Sequence, residues 1–129
     1  LIGTPESRFL PTATQIKNHI KDVRVLILNS PLNPTGTCFR FDELKSICKV
    51  ILAENDRRLS TNEKPVILVY DQVYSTMTAE DVQHLHPVQV CPEIYQYTIT
   101  LTHVYFFTHH YHLELKHRKS LRNYILILF

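Results

Sequence analysis

The sequence predicts an α/β fold built on an open, mostly parallel sheet with helical crossovers. Three observations carry that expectation. Short apolar runs occur at Val25-Leu26-Ile27-Leu28, at 66–70 and at roughly Tyr97 to Leu101. A long amphipathic pattern lies between the first two. Neither of those two runs alternates polar with apolar, as a strand with one wet face would.

The first element is a short helix opened by "PTATQIKNHI". Thr12 can cap it, and Gln15 three residues later completes a capping box. Ile16 and Ile20 then share one face. "DVRVLILN" follows as the first strand, expected to be buried on both sides. In "FDELKSICKVILAEN", Asp42 is the expected N-cap. Leu44, Ile47, Cys48, Ile51 and Leu52 form one helical stripe. "NDRRLSTNEKP" reads as a polar surface turn that tolerates insertion. "VILVYD" is the second strand, so strand, helix and strand make one βαβ unit. "CPEIYQYTITL" reads as a helical turn entering a third strand.

Composition narrows the class. The chain has 129 residues, 44% apolar and 20% charged, which suits one soluble globular domain. A formal charge of +2 gives no basic footprint for a nucleic acid. No apolar run is long enough to cross a bilayer, and no secretory leader is visible. Cys38, Cys48 and Cys91 have no metal spacing and read as buried thiols of a cytoplasmic protein. The first residue is Leu1, so an unnatural start is expected. The whole sequence has only two glycines, Gly3 and Gly36, few for a domain complete in itself.

The loop "NSPLNPTG" is the most particular feature. In an open parallel sheet, ligands gather at the carboxyl ends of the strands, where this loop falls. Pro31 and Pro34 fix their own φ and remove two donors, which holds Asn33 between them. Gly36 permits a tight turn. An ordinary Pro-Gly turn explains the loop equally well when it is read alone. At the end of the second strand stands Asp71, with Tyr74 three residues on. A carboxylate in that position is either a cap, half of an ion pair, or the partner of a bound cation.

"NSPLNPTG" followed by "VYDQVY" resembles the class I/II aminotransferases, fold-type-I enzymes that use pyridoxal phosphate. "FLPTATQIK" and "HPVQVCPEIYQYTITL" are similar to the same family's large domain. The resemblance spans residues 1–101, a partial cofactor-binding large domain. It implies three cofactor-binding residues: Asn33 and Tyr74 donate to the phenolic oxygen, and Asp71 pairs with the pyridine nitrogen. It implies amino-acid and 2-oxo-acid substrates and a homodimer. It also implies a phosphate loop before Leu1 and a small domain after Phe129. A fold-type-I lyase shares this cradle, as does a non-catalytic sensor domain of a transcription regulator.

Residues 102–129 depart from the pattern. The resemblance leads one to expect a Schiff-base lysine near Phe106, in a Ser-Lys context followed by glycine. The sequence there is "TLTHVYFFTHH", and no catalytic lysine is found. Lys116 and Lys119 lie too far along to inherit the role. Five of the eight histidines fall in this tail. His109, His110 and His112 have no supporting zinc-ligand pattern. A reading-frame error or intron read-through after Leu101 is the expectation, leaving a fragment without activity. His84 and His86, flanking Leu85, are expected on a surface connection.

Overall fold

The computed structural model describes residues 3–102. The expectations for Phe106, His109, His110, His112, Lys116 and Lys119, and for the tail after residue 102, lie outside the described residues.

Helix α1 (Ala13–His19) begins as its capping box dictates. The Thr12 hydroxyl accepts from the Gln15 N–H, and Gln15 Oε1 accepts from the Thr12 N–H. A 3-10 turn, Ile20–Asp22, leads into strand β1 (Val25–Asn29). Helix α2 (Phe41–Ser60) crosses to strand β2 (Ile67–Asp71). A short helix α3 (Pro87–Val90) and a 3-10 segment (Pro92–Tyr97) deliver strand β3 (Thr98–Leu101). The sheet is parallel throughout, in the order β1-β2-β3. Its register sets Asn29 opposite Asp71, and Asp71 opposite Leu101.

One core lies on one face of the sheet. It joins Ile16 of α1, Leu26 and Leu28 of β1, and Leu44, Ile47, Cys48 and Ile51 of α2. Leu68 and Tyr70 of β2, Val90 of α3 and Ile94 close it. The three cysteines are free and buried. On β1 the expectation of burial on both sides is corrected. Val25 is 45% exposed and Ile27 is 61% exposed, while Leu26 and Leu28 are buried. Alternate residues of a strand face opposite ways, and among the described residues the core that covers Leu26 and Leu28 lies on one side of the sheet.

Two further corrections concern α2. Its N-cap is Arg40 rather than Asp42, which sits inside the first turn. The Arg40 N–H donates to the Glu43 carboxylate, and Arg8 grips the same carboxylate from the N-terminal segment. Glu43 therefore does the work of a capping side chain from within the helix. The helix also runs on to Ser60, so half of the expected polar turn is helical.

The reason for that extension is a polar continuation of the apolar stripe. Glu54, Asn55 and Arg58 follow Ile51 at the same helical spacing and are all buried. Asn55 brackets the backbone of Val66: its Oδ1 accepts from Val66 N–H at 2.7 Å, and its Nδ2 donates to Val66 O at 3.0 Å. Arg58 Nε donates to Glu54 at 2.7 Å. Arg58 Nη2 reaches the carbonyls of Ile20, Lys21 and Val23 at 2.9–3.0 Å. Hydrogen bonds from Arg57 and then Arg58 hold the Glu54 carboxyl down to about 2. A buried guanidinium is tolerated because its donors have acceptors. It staples the end of α2 to the turn that launches β1.

His84 and His86 are not a surface connection. Both are half-buried against Tyr70, with ring centroids 6.1 Å and 5.6 Å away. His84 Nε2 lies 2.9 Å from the Ser30 carbonyl, which requires the proton on that nitrogen. His86 Nδ1 accepts from Val88 N–H and so caps α3, leaving Nε2 to donate to Thr100 Oγ1 at 2.9 Å. Burial lowers the pKa of both rings; His86 is lowered further by His84.

Two tests follow from these contacts. Arg58→Ala orphans three carbonyls and half of a buried pair, and is expected to cost about 3 kcal/mol in urea unfolding. An unchanged midpoint contradicts the staple. The histidines give a pH dependence whose sign is fixed. Below about pH 6.5 an unfolded imidazole takes up a proton that the folded one resists, so stability falls as the pH drops toward 5. A His84→Gln, His86→Asn double variant should show a shallower fall over that window. Equal slopes for parent and variant contradict the assignment.

Candidate functional site

The carboxyl ends of β1 and β2 form the candidate site. Register places Asn29 and Asp71 side by side, and the pairing continues one residue into the loop. Ser30 N–H donates to the Asp71 carbonyl at 2.9 Å. Ser30 is buried at 1% exposure, and its hydroxyl accepts from Phe39 N–H. The loop thus leaves the strand from a fixed point.

Beyond it, residues 30–37 close on themselves. Leu32 N–H donates to Thr37 O at 2.9 Å, and Gly36 N–H donates to Leu32 O at 2.7 Å. Gly36 has φ +69°, the left-handed conformation that glycine adopts without strain. The Ser30-Pro31 and Asn33-Pro34 peptide bonds are both cis. Asn33 N–H donates to the Asn29 side chain at 2.9 Å.

From this loop the Asn33 side chain reaches the segment after β2. Its Nδ2 lies 3.3 Å from the Tyr74 hydroxyl. Tyr74 stands on a turn in which Ser75 N–H donates to Gln72 O. Asp71 Oδ1 accepts from Val73 N–H at 3.2 Å, which shapes the entry to that turn. The second carboxylate oxygen has no hydrogen bond among the described residues.

Asn33 and Tyr74, which are 41 positions apart in sequence, are therefore in contact. Asp71 is three residues from Tyr74 and across the ladder from Asn29, which ends the strand that leads into the Asn33 loop. The donor inventory is specific. The Tyr74 hydroxyl accepts a hydrogen bond from Asn33 Nδ2 and keeps its own hydrogen to donate; Asn33 Nδ2 keeps a second N–H. Two free donor hydrogens thus sit together, and the Asp71 carboxylate at the end of the adjoining strand keeps one unbonded oxygen. That set suits a ligand with an acceptor oxygen on one side and a protonated nitrogen on another.

The sequence reading missed Asn29. Its Oδ1 accepts from the Asn33 N–H and its Nδ2 donates to the Asp71 carbonyl at 3.2 Å. The available signal was a polar residue closing an apolar run, four positions before Asn33. Among the described residues no group of His, Cys, Asp and Glu has the arrangement of a metal site. No helix among them is long and apolar enough to cross a membrane.

Comparison with known proteins covers most of the described chain. The chain is 31% identical over 103 residues to the aspartate aminotransferase of Bacillus sp. (strain YM-2), covering 79% of this chain and 24% of that protein. It is 30% identical, over the same shares, to a protein of Rhizobium leguminosarum bv. phaseoli named as an aspartate/prephenate aminotransferase. The chain thus spans about a quarter of the length of the curated relatives it matches. Among solved structures, a PLP-bound protein from Clostridium difficile 630, described as an aminotransferase, superimposes with a TM-score of 0.63 at 26% identity. That match covers 78% of this chain and 23% of the other. A PLP-bound C-S lyase from Staphylococcus hominis shares the fold at a TM-score of 0.62 and 18% identity, covering 79% and 24%. The family model "Aminotransferase class I and II" matches residues 4–102, a span that holds Asn33, Asp71 and Tyr74. With strand ends, loop and matched span in agreement, this chain belongs to the class I and II aminotransferases.

Proposed function

We propose that this chain carries part of the pyridoxal phosphate cradle of an aminotransferase, which moves an amino group between an amino acid and a 2-oxo acid. The observation that carries the reading is the 3.3 Å contact of Asn33 with Tyr74 beside the Asp71 strand end. The donor set fits the cofactor's chemistry. Asn33 and Tyr74 would donate to the phenolic oxygen. Asp71 would hold the ring nitrogen, and a close carboxylate favours the protonated nitrogen.

Bound pyridoxal phosphate supplies an electron sink for the charge left when an α-proton departs. The chain's own part is to orient the ring and fix its charge. Donors meeting the phenolic oxygen and an acid meeting the ring nitrogen would admit one ring orientation and reject its flip. Asp71 would pair its full charge with that of the protonated ring nitrogen, whereas Asn33 and Tyr74 would contribute neutral donors. Losing Asp71 should therefore weaken binding more than losing either neutral donor.

Proton transfer in such an enzyme needs a lysine, and the sequence lacks one where the family pattern has it. We take the chain of 129 residues as a cradle without its covalent anchor. The family is homodimeric by expectation, and the chain spans about a quarter of its relatives' length. The likeness to the lyase shows a shared fold and gives no reason to prefer lyase chemistry.

Pyridoxine 5′-phosphate is the suitable probe. It keeps the ring, the phenolic oxygen and the phosphate, and it has no aldehyde to modify surface lysines. Calorimetry should show binding weakened at least tenfold by Asp71→Ala and less by Asn33→Ala or Tyr74→Phe, where a factor of ten is about 1.4 kcal/mol. Equal affinity of parent and Asp71→Ala contradicts the role of the acid. Separately, borohydride reduction with pyridoxal phosphate should trap no cofactor at a unique lysine. Stoichiometric trapping at Lys116 or Lys119, with turnover, contradicts the missing anchor.

A further inference from the structure

We infer that Asn29 is a positioning residue, a carboxamide that sets Asn33 and the Asp71 strand end relative to one another. The inference rests on the cofactor reading for its purpose, though not for its geometry.

The case starts from the donors of the loop. Between Asn29 and Pro34, prolines leave three backbone N–H groups, on Ser30, Leu32 and Asn33. Ser30 N–H goes to the Asp71 carbonyl and Leu32 N–H to the Thr37 carbonyl. Only Asn33 N–H is received by a side chain, Asn29 Oδ1, at 2.9 Å. The other end of the same amide donates to the Asp71 carbonyl at 3.2 Å. Both ends of one planar group are thus committed, one to each half of the site.

The orientation of the amide is unambiguous. Asn33 N–H can only donate, so the atom facing it is the oxygen. The Asp71 carbonyl can only accept, so the atom facing it is the nitrogen. No other residue type fills both roles at this length. Aspartate keeps the acceptor and loses the donor. Alanine loses both. Glutamine is one methylene too long for an intrastrand cap at this spacing.

The prolines do not make Asn29 redundant. They fix their own φ and bias their neighbours, but they do not determine which way the Asn33 peptide faces. The hydrogen bond to Asn29 does. Since the Asn33 side chain reaches Tyr74 from that peptide, a change of peptide plane moves Nδ2 off the hydroxyl.

The test is made on the full chain, with ¹⁵N-labelled parent, Asn29→Ala and Asn29→Asp. Amide exchange at Asn33 should be at least tenfold faster in Asn29→Ala and restored toward the parent in Asn29→Asp, which keeps the oxygen. The Asn33 side-chain amide should lose its contact with the Tyr74 ring in Asn29→Ala only. Core amides such as those of Leu68 and Ile51 should stay protected in both variants, which separates positioning from unfolding. Pyridoxine 5′-phosphate affinity should fall about tenfold in Asn29→Ala and by less in Asn29→Asp. Unchanged Asn33 exchange in Asn29→Ala overturns the inference, and so does equal exchange in the two variants. If Asn29→Ala does not fold, Asn33 exchange at least tenfold faster in Asn29→Asp than in the parent overturns it. If parent and variants alike fail to bind the probe, the cofactor reading falls, and the exchange data still decide the role of Asn29.

Discussion

The parallel pairing that sets Asn29 opposite Asp71 is the constraint on which the rest depends. A ladder fixes position along the strands to within a residue, and a slip of one residue turns every side chain to the other face. With this register, the loop after β1 and the turn after β2 leave the sheet at the same level. Asn33 and Tyr74 can then meet although 41 positions separate them. A slip would bury Val25 and Ile27, expose Leu26 and Leu28, and separate the two halves of the site together.

Packing enforces that register from both ends of the strands. At the amino end, Asn55 brackets Val66, and Arg58 ties α2 to the carbonyls ahead of β1. At the carboxyl end, Ser30 and Asn29 both donate to the Asp71 carbonyl, and His84 donates to the Ser30 carbonyl. Between them lies the apolar core of α2 against β1 and β2. The apolar middle drives collapse without direction, and the polar ends select one alignment. This division explains why Asn55 and Arg58 are kept where hydrophobic residues would fit: Asn55 is matched to the backbone of Val66 and Arg58 to carbonyls ahead of β1.

Much of the architecture was legible because it rests on local chemistry. The Thr12–Gln15 box, the stripe from Leu44 to Ile51 and the apolar strands each declare themselves within a few residues. What escaped was nonlocal or polar. The last turns of α2 read as a loop because Glu54, Asn55 and Arg58 are polar, and only their partners on other elements reveal that they are buried. Arg40 displaced Asp42 as the cap because Glu43 supplies the acceptor from inside the helix. His84 and His86 looked like surface residues because nothing nearby in sequence shows the Tyr70 ring or the Ser30 carbonyl. The one-sided sheet was hidden because an apolar run does not tell which of its residues the helices cover. At the candidate site, Asn33, Asp71 and Tyr74 were singled out through a resemblance, and the contact of Asn33 with Tyr74 was added by the structure. Asn29 was missed because its importance lies in two hydrogen bonds, one of them to another strand.

The central claim is that two strand ends present one ring-binding surface. The most direct measurement is a map of backbone and side-chain amide shifts in the labelled chain as pyridoxine 5′-phosphate is added. The account predicts that the largest changes cluster at Asn33, Gly36, Asp71 and Tyr74. Changes centred instead on the basic groove of Lys17, Lys21 and Lys49 between α1 and α2, with the strand ends unmoved, would contradict it.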